Sequence, residues 1–166
     1  MSSFVAKSIA GLAIAMACLG PVNAVLIGQV QNLCAYPVYV KTCRGDSYDS
    51  QEMFELNTGE WYTAPVGTID NSPVGGVAVK VQTVPDITWK DVYQIEYAVG
   101  SGKSWWDQSA VNGDPLNAES RVVTVGAPGQ CPTNVCAPYQ SGNSCQWDLL
   151  LACENVLDTE IVFTIC

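Results

Sequence analysis

Two adjacent tryptophans beside a carboxylate make the stretch KSWWDQSAVNGDPLN, Lys103 to Asn117, the part of the chain with the most candidate chemistry. An indole offers a flat apolar face on which a ring can stack, and a neighbouring aspartate can orient a polar substituent or handle a proton. Cysteine is the other reactive residue type, with 8 copies. Histidine is absent from the 166 residues. The usual neutral-pH general base and the commonest metal ligand are therefore both missing, which excludes Ser/His triads and most zinc hydrolases.

Cys18 lies in an N-terminal segment with the pattern of a secretory signal. Lys7 supplies its charge, Ile9 to Leu19 its apolar run, and Gly20-Pro21 a break before the small-residue site Val22-Asn23-Ala24. The expected division is a signal peptide over 1–24 and one domain over 25–166. The apolar run is well short of the roughly 20 residues a membrane-spanning helix needs, so the mature chain is expected to be secreted, outside the cell or in its wall, with no membrane insertion. Removing Lys7 takes the formal net charge from −9 to −10. Such a chain repels phosphate backbones and anionic lipid, which disfavours nucleic acid and membrane surfaces as partners.

Seven cysteines remain: Cys34, Cys43, Cys131, Cys136, Cys145, Cys153 and Cys166. In an oxidising compartment they read as a disulfide framework with one thiol over. The spacings C-x4-C, C-x8-C and C-x7-C lack the paired C-x2–4-C knuckles of a zinc site, and no metal or cofactor is expected.

Positioning falls to short strands. AVLIGQVQNL, AYPVYVKTC, GGVAVKVQTV, DVYQIEYAV, SRVVTV and TEIVFTIC are Val- and Tyr-rich runs bounded by Gly, Pro, Asn or Asp. Alternation sends Val77, Val79 and Val81 to one face and Ala78, Lys80 and Gln82 to the other. Cys145 to Leu157 has Trp147, Leu150, Leu151 and Val156 spaced for a short helix, with a buried strand as the alternative. Asn112-Gly113 and Asp114-Pro115 supply turn chemistry. Many short strands with turn signals predict an all-β sandwich or barrel in a single domain.

Five stretches in order resemble the thaumatin-like family: VQNLCAYPVYV, LNTGEWYTAP, GGVAVKVQ, DVYQIEYAV with SWWDQSAVNGDPLN, and the closing FTIC. The resemblance is nearest to the small fungal secreted branch, which includes yeast-phase-specific antigens. It implies an antiparallel, disulfide-stabilised β-sandwich whose second domain is reduced to the span from Cys131 to Cys166. It pairs Cys34 with Cys166. Cys131, Cys136, Cys145 and Cys153 can pair in three ways, of which Cys131–Cys153 with Cys136–Cys145 is favoured, leaving Cys43 over.

By the same resemblance Glu96 and Asp107 match carboxylates of the family's acidic cleft, and Asn112 stands where a further Asp is expected. The cleft's Arg has no match. Trp105, Trp106 and Tyr97 could stack on sugar rings beside those acids, although strand alternation puts one of the two tryptophans in the core. Two carboxyls flanking a glycosidic bond would make a glycoside hydrolase, and the resemblance implies β-1,3-glucan as its substrate, with an antifungal glucan-binding role as the other alternative; equally, a strand Glu and an Asp before a turn are ordinary solvated or backbone-bonded residues. The expectation is a secreted, non-catalytic binding or host-interaction protein, with β-glucan, another cell-wall polysaccharide or a host surface protein as partner. The stretch DQSAVNGD misses the calcium-loop pattern, and Arg44-Gly45-Asp46 reads as a chance tripeptide.

Overall fold

The computed structural model describes residues 25–45, 49–50, 52–69, 75–140, 145, 150–154 and 159–166. The signal-like segment and Asp46 lie outside them. In chain order the strands are β1 (Val25–Asn32), β2 (Val38–Arg44), β3 (Phe54–Leu56), β4 (Trp61–Thr63), β5 (Thr68–Ile69), β6 (Val77–Gln82), β7 (Val92–Gly100), β8 (Lys103–Asn112), β9 (Arg121–Val125), β10 (Asn134–Cys136), β11 (Leu151–Glu154) and β12 (Thr159–Ile165). They form two sheets. The first has the order β10-β9-β12-β1-β4, with β5 also on β1; the second has the order β11-β8-β7-β6-β2-β3. Among the described residues every strand pairing is antiparallel except β1 with β12, which runs parallel from Leu26↔Thr159 to Asn32↔Ile165.

Alternation builds the core. Leu26 and Val30 of β1, Val123 of β9, and Ile161, Phe163 and Ile165 of β12 are buried from the first sheet. Val77, Val79, Val81, Tyr93, Ile95, Tyr97 and Trp106 are buried from the second. Two facing sheets of this kind make a sandwich whose apolar inner faces supply the main driving force. Gln82 stays on the face shared with Ala78 and Lys80 but is buried there, its Nε2 donating to Asp86 O of the following loop at 3.0 Å.

One close approach between the sheets needs glycine. At Gly28 the Tyr97 ring crosses β1, its hydroxyl accepting from Gly28 N at 2.8 Å, and a Cβ there would collide with the ring. Arg121 is also interior. Its guanidinium pairs with Asp114 Oδ1 at 2.7 Å and sits 4.5 Å from the Tyr93 ring.

Disulfides join Cys34 to Cys166, Cys131 to Cys153 and Cys136 to Cys145, with Cys43 free. The span from Cys131 to Cys166 forms no lobe of its own among the described residues: β10 and β12 belong to the first sheet, β11 to the second. Of the stretch Cys145 to Leu157, Trp147 and Val156 lie outside the described residues; Leu151–Glu154 takes the strand alternative, because it pairs along the β8 edge from Leu151↔Trp106 to Glu154↔Lys103.

Candidate functional site: a groove on the outer face of the second sheet

β7 and β8 are joined by a two-residue turn in which Ser101 and Gly102 have φ of 55° and 72°. Two successive positive φ values suit a tight hairpin with matching strand twist. The turn fixes a register in which Glu96 stands opposite Asp107, Tyr97 opposite Trp106 and Ala98 opposite Trp105. Toward the other end the register shifts between Val92 and Gln94, so Val92 meets Asn112 while Gln94 meets Ser109. β8 then ends at Asn112, and Gly113 takes a φ of 123° against Asp91.

This register divides the predicted site residues. Trp106 is fully buried and Tyr97 is 3% exposed, both inside the sandwich. Neither can stack on a ligand. They are therefore corrected from cleft to core residues, since each lies opposite the other on the inward pleat. Trp105 points the other way, and its indole Nε1 donates to Gly100 O at 3.3 Å. Its cross-strand neighbours are Ala98 and Ala152, small residues that leave room beside the ring.

Trp105 borders a groove of about 640 Å³ that crosses the outer face from β2 to β8. Its lining includes Cys43, Arg44, Lys80, Gln94, Glu96, Trp105, Asn112 and Leu150. The floor follows the pairings Cys43↔Ala78↔Glu96 and Lys80↔Gln94. Ala78 and Ala98 keep it low, while Leu150, 60% exposed, adds an apolar edge. Glu96 is exposed in the groove, and Asp107, its neighbour on the next strand, is half-buried with Oδ1 out of contact with solvent. Glu96 is the one carboxylate among the described lining residues.

Cys43 is half-buried, and burial, followed by the nearby Asp49 carboxylate, pushes its thiol above the ordinary value. The thiolate, the reactive form, is correspondingly scarce near neutral pH. The grouping with metal-ligand spacing, Cys34, Cys166 and Glu119, has both sulfurs spent in a disulfide. It offers a cation a single carboxylate. Of the Arg44-Gly45-Asp46 tripeptide, Arg44 ends β2 and Gly45 forms a backbone bond to Gly76 O at 3.2 Å.

Lys80, Gln94, Cys43 and Leu150 were not among the site residues expected from sequence. Parity could have found two of them: Gln94 alternates with Glu96, and Lys80 alternates with the buried valines of β6. Cys43 and Leu150 carried no such signal.

A family model described as Bys1: Blastomyces yeast-phase-specific protein matches residues 15–166. Among solved structures, the protein elicitor MoHrip2 from Magnaporthe oryzae is similar at a TM-score of 0.65 and 22% identity, over 82% of this chain and 97% of that one. The thaumatin-like xylanase inhibitor TLXI is similar at a TM-score of 0.48 and 11% identity, over the same shares. No curated protein matches the sequence. The likeness to MoHrip2 establishes a shared sandwich fold.

Proposed function

The chain belongs to the Blastomyces yeast-phase-specific protein family, and from that membership and the groove we propose that it is a secreted, non-catalytic saccharide-binding protein acting in host interaction. Three disulfides fit an oxidising, extracellular setting. That a protein elicitor has this fold is in keeping with such a role. The observation that carries the reading is the composition of the groove: an outward Trp105 over a low floor, with Glu96 as its one described carboxylate. Aromatic stacking plus a few orienting polar groups is the usual physics of a binding site. Glycoside hydrolysis instead asks for two carboxyls on either side of the scissile bond.

A second reading, a β-1,3-glucan hydrolase, is favoured by one fact. Glu96 and Asp107 are directly opposed on neighbouring strands, and such side chains lie about 5 Å apart. Only Glu96 lines the groove, however, and Asp107, half-buried beside it on the same face, offers no second wall to flank a bond. The discriminating experiment incubates the mature chain with insoluble β-1,3-glucan and measures both retention and reducing ends. Retention without release, reduced about tenfold by Trp105→Ala, is the expected result. Release of reducing sugar that disappears in Glu96→Gln overturns the binding reading.

A further inference from the structure

The groove floor holds a polar atom that the fold leaves unserved. Gln94 is 4% exposed; its Nε2 donates to Ser109 Oγ at 3.5 Å, and its Oε1 is shielded from solvent without a hydrogen-bond partner. A buried acceptor in that condition is destabilising until a donor reaches it. The amide is held weakly, since 3.5 Å is the outer limit of a hydrogen bond. Its terminal torsion has broad wells, so Oε1 can turn toward the groove at small cost.

Lys80 stands directly opposite Gln94 and also lines the groove. The two side chains have complementary capacities: an ammonium only donates, and an amide oxygen only accepts. We propose that Gln94 and Lys80 form a hydroxyl-reading subsite that selects neutral, polyhydroxylated oligosaccharides over amino sugars and uronic acids. This rests on the saccharide-binding reading above and adds its selectivity. A neutral hydroxyl placed between the pair donates to Oε1 and accepts from Nζ, satisfying both. An ammonium substituent can donate to Oε1 but cannot accept from Nζ, and repulsion from Lys80, directly opposite Gln94, opposes the attraction of Glu96 two residues along β7. A carboxylate can pair with Lys80, but it leaves Oε1 without a donor and meets Glu96.

The same geometry sets a minimum ligand length. Gln94 and Ala98, the residue opposite Trp105, are separated by four steps along β7, or about 13 Å of strand. A ligand that reaches both the subsite and the indole is longer than a single sugar ring. Monosaccharides engage one end only and bind weakly.

The test uses the mature chain with three tetramers: β-1,3-linked glucose, β-1,4-linked glucosamine and α-1,4-linked galacturonate. Binding is followed by calorimetry and by protection of Cys43 from alkylation, because that thiol lines the groove. The wild type is expected to bind the neutral tetramer at least tenfold tighter than either charged one. Gln94→Leu should lose about tenfold on the neutral tetramer, the effect of one hydrogen bond. Gln94→Glu should reverse the order between glucose and glucosamine tetramers. If either Gln94 variant melts early, Lys80→Met, at a half-buried position, supplies the same test through lost discrimination against glucosamine. Equal wild-type affinity for all three tetramers, or unchanged ranking and affinity in the variants, overturns the subsite and leaves saccharide binding standing. Failure of every saccharide to bind or to protect Cys43 overturns both.

Discussion

On the inner face of the β7–β8 hairpin, Tyr93, Ile95, Tyr97, Trp106 and Gln108 are buried; on its outer face, Glu96 and Trp105 face the groove. The two faces come from the same strands, one residue out of step. Trp105 and Trp106 make the contrast sharpest, being chemically identical and adjacent. One completes the core between the sheets and the other borders the groove, so composition cannot separate fold from site here. Pleat parity does, and parity predicts that mutations on the two faces fail in different ways.

The largest effect belongs to the inner tryptophan. Trp106→Ala should cost about 3–5 kcal/mol through lost burial and the cavity left behind, read as a drop in the denaturation midpoint. Next is the interior ion pair. Arg121→Met strands Asp114, whose partner is fully buried, and breaking such a pair costs about 3 kcal/mol or more; a change of less than 1 kcal/mol would show that the pair adds little.

A smaller loss is expected where the sheets meet. Tyr97→Phe removes the acceptor of the buried Gly28 N–H and should cost about 1–2 kcal/mol without affecting ligand retention. The outer tryptophan reverses the pattern. Trp105→Ala should change stability by less than about 1 kcal/mol while weakening glucan retention roughly tenfold. If Trp105→Ala unfolded the chain while Trp106→Ala spared it, the assignment of faces would be wrong.

The smallest expected effect is alkaline. Burial, then its hydrogen bond to Glu119, pushes the Tyr36 hydroxyl up from 10.0 to about 12. A raised folded value means that the native state keeps a proton the unfolded chain has lost. Its contribution is therefore fully present below pH 10 and disappears as pH rises toward 12. Tyr36→Phe should flatten that part of the stability-versus-pH curve relative to wild type, and identical slopes would discount the Glu119 contact.

Sequence alone carried the strand content and the inward set Val77, Val79 and Val81, because period-2 alternation is a local property. The Trp105/Trp106 choice was not legible. Alternation says that they differ, but the phase is set by the pairing of Trp106 with Tyr97 across the hairpin. Gln82 kept the face that alternation gave it but is buried there, because the loop carrying Asp86 folds over it and accepts its Nε2; parity assigns a face and does not say what covers it. The Leu-rich stretch at Leu151 gave way to tertiary context when the open edge of β8 recruited it as a strand. The groove was the least legible part. Cys43, Lys80 and Gln94 come from three strands, and no spacing in the chain indicates that β2, β6 and β7 lie side by side.

The parallel pairing of β1 with β12 also determines the order in which the molecule can be made. β1 is the first described strand to leave the ribosome, and its long partner, which begins at Thr159, is the last. Until β12 arrives, β1 has only the short β4 and β5 to pair with, and one side of an apolar strand stays open, a template for wrong association. Contacts this distant in sequence form slowly. The hairpin of β7 and β8, by contrast, needs only its own turn. Assembly is thus expected to begin at the second sheet and to close at the first, with the Cys34–Cys166 bond sealing a pairing already made.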